Sequence, residues 1–319
     1  MSEPELLIAR EQVRAGLRGA VRRGEVERIR RGAYRRSPDD GPDRATGRDR
    51  WTALRGLHVD RARAVAAQLS SSHWFSHETA AVLHGLPVWR LPHQVHLVQH
   101  YRASARAAPD LRRHALPVEP GHGCERSGLA VTSLARTVAD CVTTLPSLDG
   151  LVVADAGLRA GADPAEVARI VDDRYRGRAR GLLVLELADA GAESAWETWV
   201  RYVAHWAGLP RPRTQVPVTT RRGRYRIDVG WEEHGVLVEF DGLVKYRDGA
   251  LGDAHDADEA RIAEKLRQDA VAEAVGVGLL RVTARDARDP QAVADRMLAR
   301  FPAEIRRRAC RNPLLPRPR

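Results

Sequence analysis

Residues 226–241, RIDVGWEEHGVLVEFD, constrain the fold of this chain more than any other stretch. Side chains alternate between the two faces of a strand. That period puts Val236, Val238 and Phe240 on one face and Leu237, Glu239 and Asp241 on the other. In the preceding run Ile227 and Val229 face one side and Asp228 the other. The short EEHG turn pairs the two runs antiparallel, and Asp228 and Glu239 lie at similar distances from it. A shared face on neighbouring strands follows. Two half-buried carboxylates side by side repel each other. A divalent cation removes that repulsion, and hard oxygen ligands suit Mg²⁺ or Mn²⁺. The competing explanation is an ordinary sheet face with solvated carboxylates.

The flanking segments give this pair a context. AESAWETWVRYVAHWAGL reads as an amphipathic helix, stopped by Gly208 and Pro210. TQVPV, RYRIDVGW and GVLVEFDG read as three strands, and RIAEKLRQDAVAEAVG as a helix ending at Gly276. GLLRVTARD is a fourth strand and PQAVADRMLARF a last helix. Residues 182–300 thus follow an αβββαβ order. A cation held by Asp228 and Glu239 would polarise a phosphodiester and activate water. The ammonium of Lys245 or Lys265 would stabilise the phosphate charge. Glu197 on the first helix would complete the outer shell, with Glu193, one turn earlier, as its competitor. Asp241 is either a member of the site or turn chemistry, since Asp-Gly is a common turn pair.

The N-terminal 36 residues carry ten Arg against five Glu, about half of the formal net charge of +10. Leu6, Leu7, Val13, Leu17 and Val21 fall at near-helical intervals, and Gly24 ends the helix. Val26, Ile29 and Tyr34 punctuate a basic hairpin with Gly32 at its turn. Helices followed by a basic hairpin suit a winged helix-turn-helix over 1–36. Arg18, Arg22 and Arg23 would line its exposed helical face, and Arg28, Arg30 and Arg31 its wing, all against DNA phosphates. A basic helical hairpin used only for packing is the alternative.

A Pro/Gly/Asp-rich linker spans 37–50, and a mixed α+β region follows over 51–175. Ser76 is a plausible cap for SHETAAVLHGLPVW, with Gly85 and Pro87 as its stop. His73, His77 and His84 fall at spacings of four and seven, and two His at i, i+4 can chelate zinc. No third ligand is evident, so a packed helix with polar His is the reading. In VTSLARTVADCV, Arg136 and Asp140 form an i,i+4 pair of the kind worth a few tenths of a kcal/mol. The tail over 304–319, with six Arg and one Glu, is expected to be basic and disordered.

Three dispersed Cys in no CxxC argue against a disulfide framework or a zinc ribbon. With no apolar run of about 18 residues and no secretory h-region, the expectation is a cytoplasmic protein without a membrane partner. The basic balance favours an anionic partner, with an Arg-rich composition as the bland explanation.

The pieces ESAWET, RIDVGW, VEFDGLVKY, EKLRQDAV and GLLRVT resemble the PD-(D/E)xK nuclease superfamily, closest to its Vsr-like endonuclease-fold branch. GAVRRGEVERIRRGAYR, SHETAAVLHGLPVW and AVTSLARTVADC are similar to AbiEi-family antitoxins. The resemblance implies a multidomain α/β protein: an N-terminal winged helix, a mixed α+β middle region and a C-terminal restriction-endonuclease-like domain. It implies a Mg²⁺- or Mn²⁺-dependent DNA endonuclease with Asp228, Glu239, Asp241, Lys245 and Glu197 at its site. The superfamily's Glu-x-Lys is Glu239-Phe240-Asp241 here, so the lysine must come from Lys245 or Lys265. The alternative is a non-catalytic repressor of the type IV antitoxin kind, opposing a toxin gene by function only. Processing of RNA or repair intermediates is a third reading, and the low aromatic content gives no wedge cluster for mismatches.

Overall fold

The computed structural model describes residues 6–9, 14–37, 47–101, 108–241, 265–267, 269–276 and 278–318. The protein is mixed α/β, with three sheets and several helices among the described residues. Among the described residues no helix is long and apolar enough to cross a membrane. Two compact units divide the chain: Met1–Cys141 with Ala162–Val171, and Val142–Gly161 with Asp172–Arg319.

The first unit opens on strand β1 (Leu6–Ile8), helix α1 (Arg14–Arg22), and strands β2 (Val26–Arg30) and β3 (Ala33–Arg36). Leu6 and Leu7, expected on a helix, instead lie on a strand that pairs antiparallel with β3, with Ile8 opposite Ala33. Burial decides this: Ile8, Ile29 and Ala33 form one small core with Ala64 of helix α2 (Gly47–Gln68). Gly24 and Gly32 both take positive φ, +74° and +78°, at the end of α1 and in the β2–β3 turn.

A second sheet has the order β6-β5-β4-β8-β7, from β4 (Trp74–Phe75), β5 (Val95–Gln99), β6 (Leu111–Ala115), β7 (Gly123–Arg126) and β8 (Leu129–Thr132). Helix α3 (His77–Leu83) follows β4 and packs Ala80 into a core with Phe75, Leu97 and Val131. Helix α4 (Leu134–Thr144) follows β8. Its Arg136–Asp140 pair is not a solvated surface pair. Nε lies 2.9 and 3.0 Å from the two carboxylate oxygens, both side chains are buried, and Arg136 also donates to Pro117 O. Breaking such a buried pair costs far more than a surface one. Helix α6 (Pro164–Asp172) supplies the rest of this unit.

The second unit contains helix α5 (Ser147–Arg159), which the sequence reading assigned to the middle region. Ten of its thirteen residues are buried, so it needs cover on nearly every side. Helices α7 (Arg178–Leu187) and α8 (Ala195–Trp206) provide it. Asp155 of α5 accepts from Arg201 Nη1 at 2.5 Å, Thr198 Oγ1 at 2.8 Å and Asp189 N at 2.8 Å. The third sheet has the order β12-β11-β10-β9, made of β9 (Arg213–Thr220), β10 (Gly223–Trp231), β11 (Val236–Asp241) and β12 (Leu280–Thr283). The first three strands form an antiparallel meander and β12 joins β11 in parallel. Residues 265–267 and 269–275, between β11 and β12 in the chain, are helical. This is the αβββαβ order expected from the sequence.

Over its described residues, 304–318, the basic tail, expected to be disordered, carries helix and packing contacts. Helix α9 (Pro290–Leu298) and helix α10 (Ala303–Arg308) precede a segment that buries Leu315. Asn312 N donates to Trp206 O, and Tyr202 Oη donates to Pro316 O, both at 2.9 Å. Arg311 lies over the Trp206 ring at 5.0 Å. Gly208, at φ +73°, permits this approach, because a Cβ there would collide with Cys310 O. The apolar and aromatic surface of α8 outweighs the charge of the tail.

Candidate active site

The register of β10 and β11 runs Val229↔Val238, Gly230↔Leu237 and Trp231↔Val236. Continued by one residue it sets Asp228 opposite Glu239. A hydrogen bond fixes the pair: Phe240 N donates to Asp228 Oδ2 at 2.8 Å. On the other side, Ile227↔Val216 and Val229↔Thr214 flank Asp228 and set it opposite Gln215 of β9. Asp228 therefore sits on an inner strand between two polar neighbours.

Glu197 of α8 completes the group. Gln215 Nε2 donates to its Oε2 at 3.1 Å, and Glu193 N donates to the same oxygen at 2.8 Å. Its own N–H bonds Ser194 Oγ at 3.2 Å, so Glu197 also closes the N-terminal turn of α8 in the manner of a capping box. Trp196 stacks on Phe240 at 4.8 Å and 5°, which pins that turn to β11. Glu193, the alternative to Glu197, is half-exposed and pairs with Arg226 at 3.1 Å.

The electrostatics follow from this crowding. Burial pushes the Asp228 carboxyl up to about 7; Glu197 and Glu239 add to the rise, while the Phe240 N–H and Arg267 oppose it. Burial also raises Glu197, against the hydrogen bonds it accepts. Glu239 is 8% exposed and is held by Arg267, whose Nη1 and Nη2 donate to Oε1 and Oε2 at 2.9 Å each. Asp241 lies at the end of β11 and pairs with Arg281 Nη1 at 3.2 Å.

The structure thus sets Asp228 opposite Glu239 and within reach of the charge of Glu197, and ties Asp241 to an arginine of β12. Lys245 lies outside the described residues. Lys265 is exposed. It stands two positions from Arg267, about 200° around a helix, so it faces away when Arg267 faces Glu239. Arg267 and Gln215 are the members that sequence reading did not single out. Arg267 looks like any cation on a polar helix, and only strand order reveals its target. Gln215 carries a backbone signal, φ +51°, that sequence does not show.

Of the six arginines expected to meet DNA, Arg18, Arg22, Arg23, Arg28 and Arg31 are exposed, with Arg23 paired to Glu25 at 2.5 Å. Arg30 is turned inward. It donates to Asp110 at 2.9 and 3.4 Å and to Gln68 Oε1 at 2.7 Å, and its side chain is nearly buried. The β-bulge between Arg28 and Arg30 explains the inversion: one irregular residue moves Arg30 to the other face. His73 precedes β4 rather than sharing a helix with His77, and bonds Ser71 O at 2.7 Å; His84, the C-cap of α3, bonds Thr132 O at 2.8 Å.

No protein-family profile matches the chain. It is 29% identical over 230 residues to the uncharacterized proteins MT2308 and Rv2248 from two Mycobacterium tuberculosis strains, covering 70% of this chain and 76% of each relative. Among solved structures, the RV2827C protein of Mycobacterium tuberculosis aligns over 57% of this chain and 72% of its own, with a TM-score of 0.37 and 14% identity.

Proposed function

We infer that the protein is a DNA-binding phosphodiester hydrolase dependent on Mg²⁺ or Mn²⁺. The observation that carries this reading is the cross-strand pair Asp228–Glu239, locked by the Phe240 N–H, with Glu197 brought against it by α8. The donors are all carboxylate oxygens in a half-buried setting, which fits a hard divalent cation in kind. Asp228 Oδ1 and one oxygen of Glu239 would hold it, with Glu197 orienting a water molecule. When bound, the cation supplies Lewis-acid activation of the phosphodiester and of water. Gln215 fixes the rotamer of Glu197, and Phe240 N fixes that of Asp228. Arg267 beside Glu239 supplies the positive charge that a lysine gives elsewhere in the resembled superfamily.

Affinity for DNA would come from the N-terminal unit, read as a winged helix. Arg18, Arg22, Arg28 and Arg31 offer exposed positive charge for phosphates, and Arg23 does so once released from Glu25. The test is nicking of supercoiled plasmid in Mg²⁺ and in Mn²⁺. Nicking by the native chain, lost in Asp228→Asn and in Glu239→Gln, is the expected result.

A second reading is favoured by one observation. Arg267 occupies both oxygens of Glu239, the arrangement of a site stabilised without a metal. The protein would then be a DNA-binding regulator of the antitoxin kind, with the hydrolase fold kept as a scaffold. It predicts salt-dependent DNA binding with no nicking under either cation.

A further inference from the structure

The first unit holds a second group of chemistry-bearing side chains, unrelated to the carboxylates. His77 is the first residue of α3, His96 lies on β5 and His114 on β6. β5 and β6 pair in parallel with His96 opposite Arg112 and Val98 opposite His114. His96 and His114 therefore share one face, the opposite one from Val95, Leu97 and Leu111. His96 Nδ1 lies 3.3 Å from His114 Nε2, and the His77 and His114 rings stack at 3.8 Å. One nitrogen from each of the three rings lies within 4.8 Å of the others.

We propose that His77, His96 and His114 form a binding site for a zinc-class divalent transition metal. Zinc–nitrogen bonds of about 2.0–2.1 Å in a tetrahedron put ligand nitrogens about 3.4 Å apart. The His96–His114 pair already has that spacing, and His77 has only to close from within 4.8 Å. Three imidazoles are borderline-soft ligands that select zinc, copper or nickel over Mg²⁺ and Ca²⁺. The fourth position is open to water or to a ligand.

The surroundings support a cation. Glu78 Oε2 lies 3.3 Å from His96 Nδ1 and brings a carboxylate to the edge of the set. The Arg112 guanidinium also reaches both His96 and His114. The strand that carries His96 is anchored to α3: its backbone N–H donates to Thr79 Oγ1 at 2.9 Å, and that hydroxyl meets His58 Nε2 at 3.0 Å. His77 adopts φ +52°, one of three non-glycine residues in that region among those described. A histidine held there costs on the order of 1 kcal/mol and aims its ring at the two strands, the kind of strain that collects at ligand clamps.

The test uses the full-length chain without a histidine tag. Zinc content is measured after purification, and Co²⁺ is titrated into chelator-stripped protein with visible absorption as the readout. One metal per chain is expected, with at least a tenfold loss of affinity in His96→Gln and in His114→Gln and none in His84→Gln. His96→Cys keeps a ligand in place; it should bind Co²⁺ and add a thiolate charge-transfer band, which decides the matter if the Gln variants do not fold. A native chain that binds neither Zn²⁺ nor Co²⁺ overturns the proposal. So does a His96→Cys protein that binds Co²⁺ without the thiolate band.

Discussion

Arg267 grips Glu239 with both terminal nitrogens, Nη1 to Oε1 and Nη2 to Oε2, at 2.9 Å each. A bidentate pair of this kind is among the stronger polar contacts a protein makes. It competes with any cation for the same two oxygens. Arg267→Gln should therefore bind Mn²⁺ about tenfold more tightly than the native chain, a difference of ~1.4 kcal/mol. Calorimetric titration of Mn²⁺ measures it. Unchanged or weaker binding would mean that the arginine does not compete with the metal.

The basic residues of the N-terminal unit separate into two kinds. Arg22→Ala and Arg31→Ala remove exposed charges, and each should lower the slope of log affinity against log salt by about one, with no change in melting temperature. Arg30→Ala removes the partner of Asp110 and Gln68. It should lower the melting temperature and leave the salt slope nearly unchanged. Fluorescence anisotropy with duplex DNA at several salt concentrations, beside thermal melts, checks both.

Asp155 and Arg201 are both fully buried and joined at 2.5 Å. Asp155→Ala leaves the guanidinium with Leu187 O and a carboxylate of Asp189 at 4.0 Å. Removing one member of a buried pair costs about 3–5 kcal/mol, and urea unfolding should show a loss of that size.

His205 is pressed down to about 4, first by burial and then by Arg201 and Arg211, with Asp189 opposing. In the unfolded chain it titrates near 6.5, so between those values the unfolded state binds more protons. Stability from this group is present at neutral pH and lost as the pH falls from about 6.5 towards 4. His205→Gln should remove about 1–2 kcal/mol of the acid sensitivity between pH 7 and pH 5. Parallel denaturation curves at the two pH values read the difference.

The carboxylate pair was legible because alternation and a short turn fix both face and register. Asp228 and Glu239 could be placed on neighbouring strands at similar distances from the turn, and the order of elements around them followed from periodicity and Gly/Pro stops. Arg267 and Gln215 were not legible, since their roles depend on which strands and helices neighbour each other. Arg30 shows the limit of face assignment: a single bulge inverts it. Leu6 and Leu7 fit a helical interval, but pairing with β3 prevails over periodicity in so short a segment. The histidine cluster joins residues 77, 96 and 114 through a parallel strand pair, so scanning for i, i+4 spacing found His77 and missed both partners.

Asp228 and Glu239 are proposed to form a hydrolytic metal site. Conversion of supercoiled plasmid to nicked circles, followed against Mg²⁺ and Mn²⁺ concentration, tests it most directly. Metal-dependent nicking by the native chain that disappears in Asp228→Asn while DNA binding persists is the expected result. Native protein that binds DNA and never nicks it under either cation would rule out a hydrolytic role for Asp228 and Glu239.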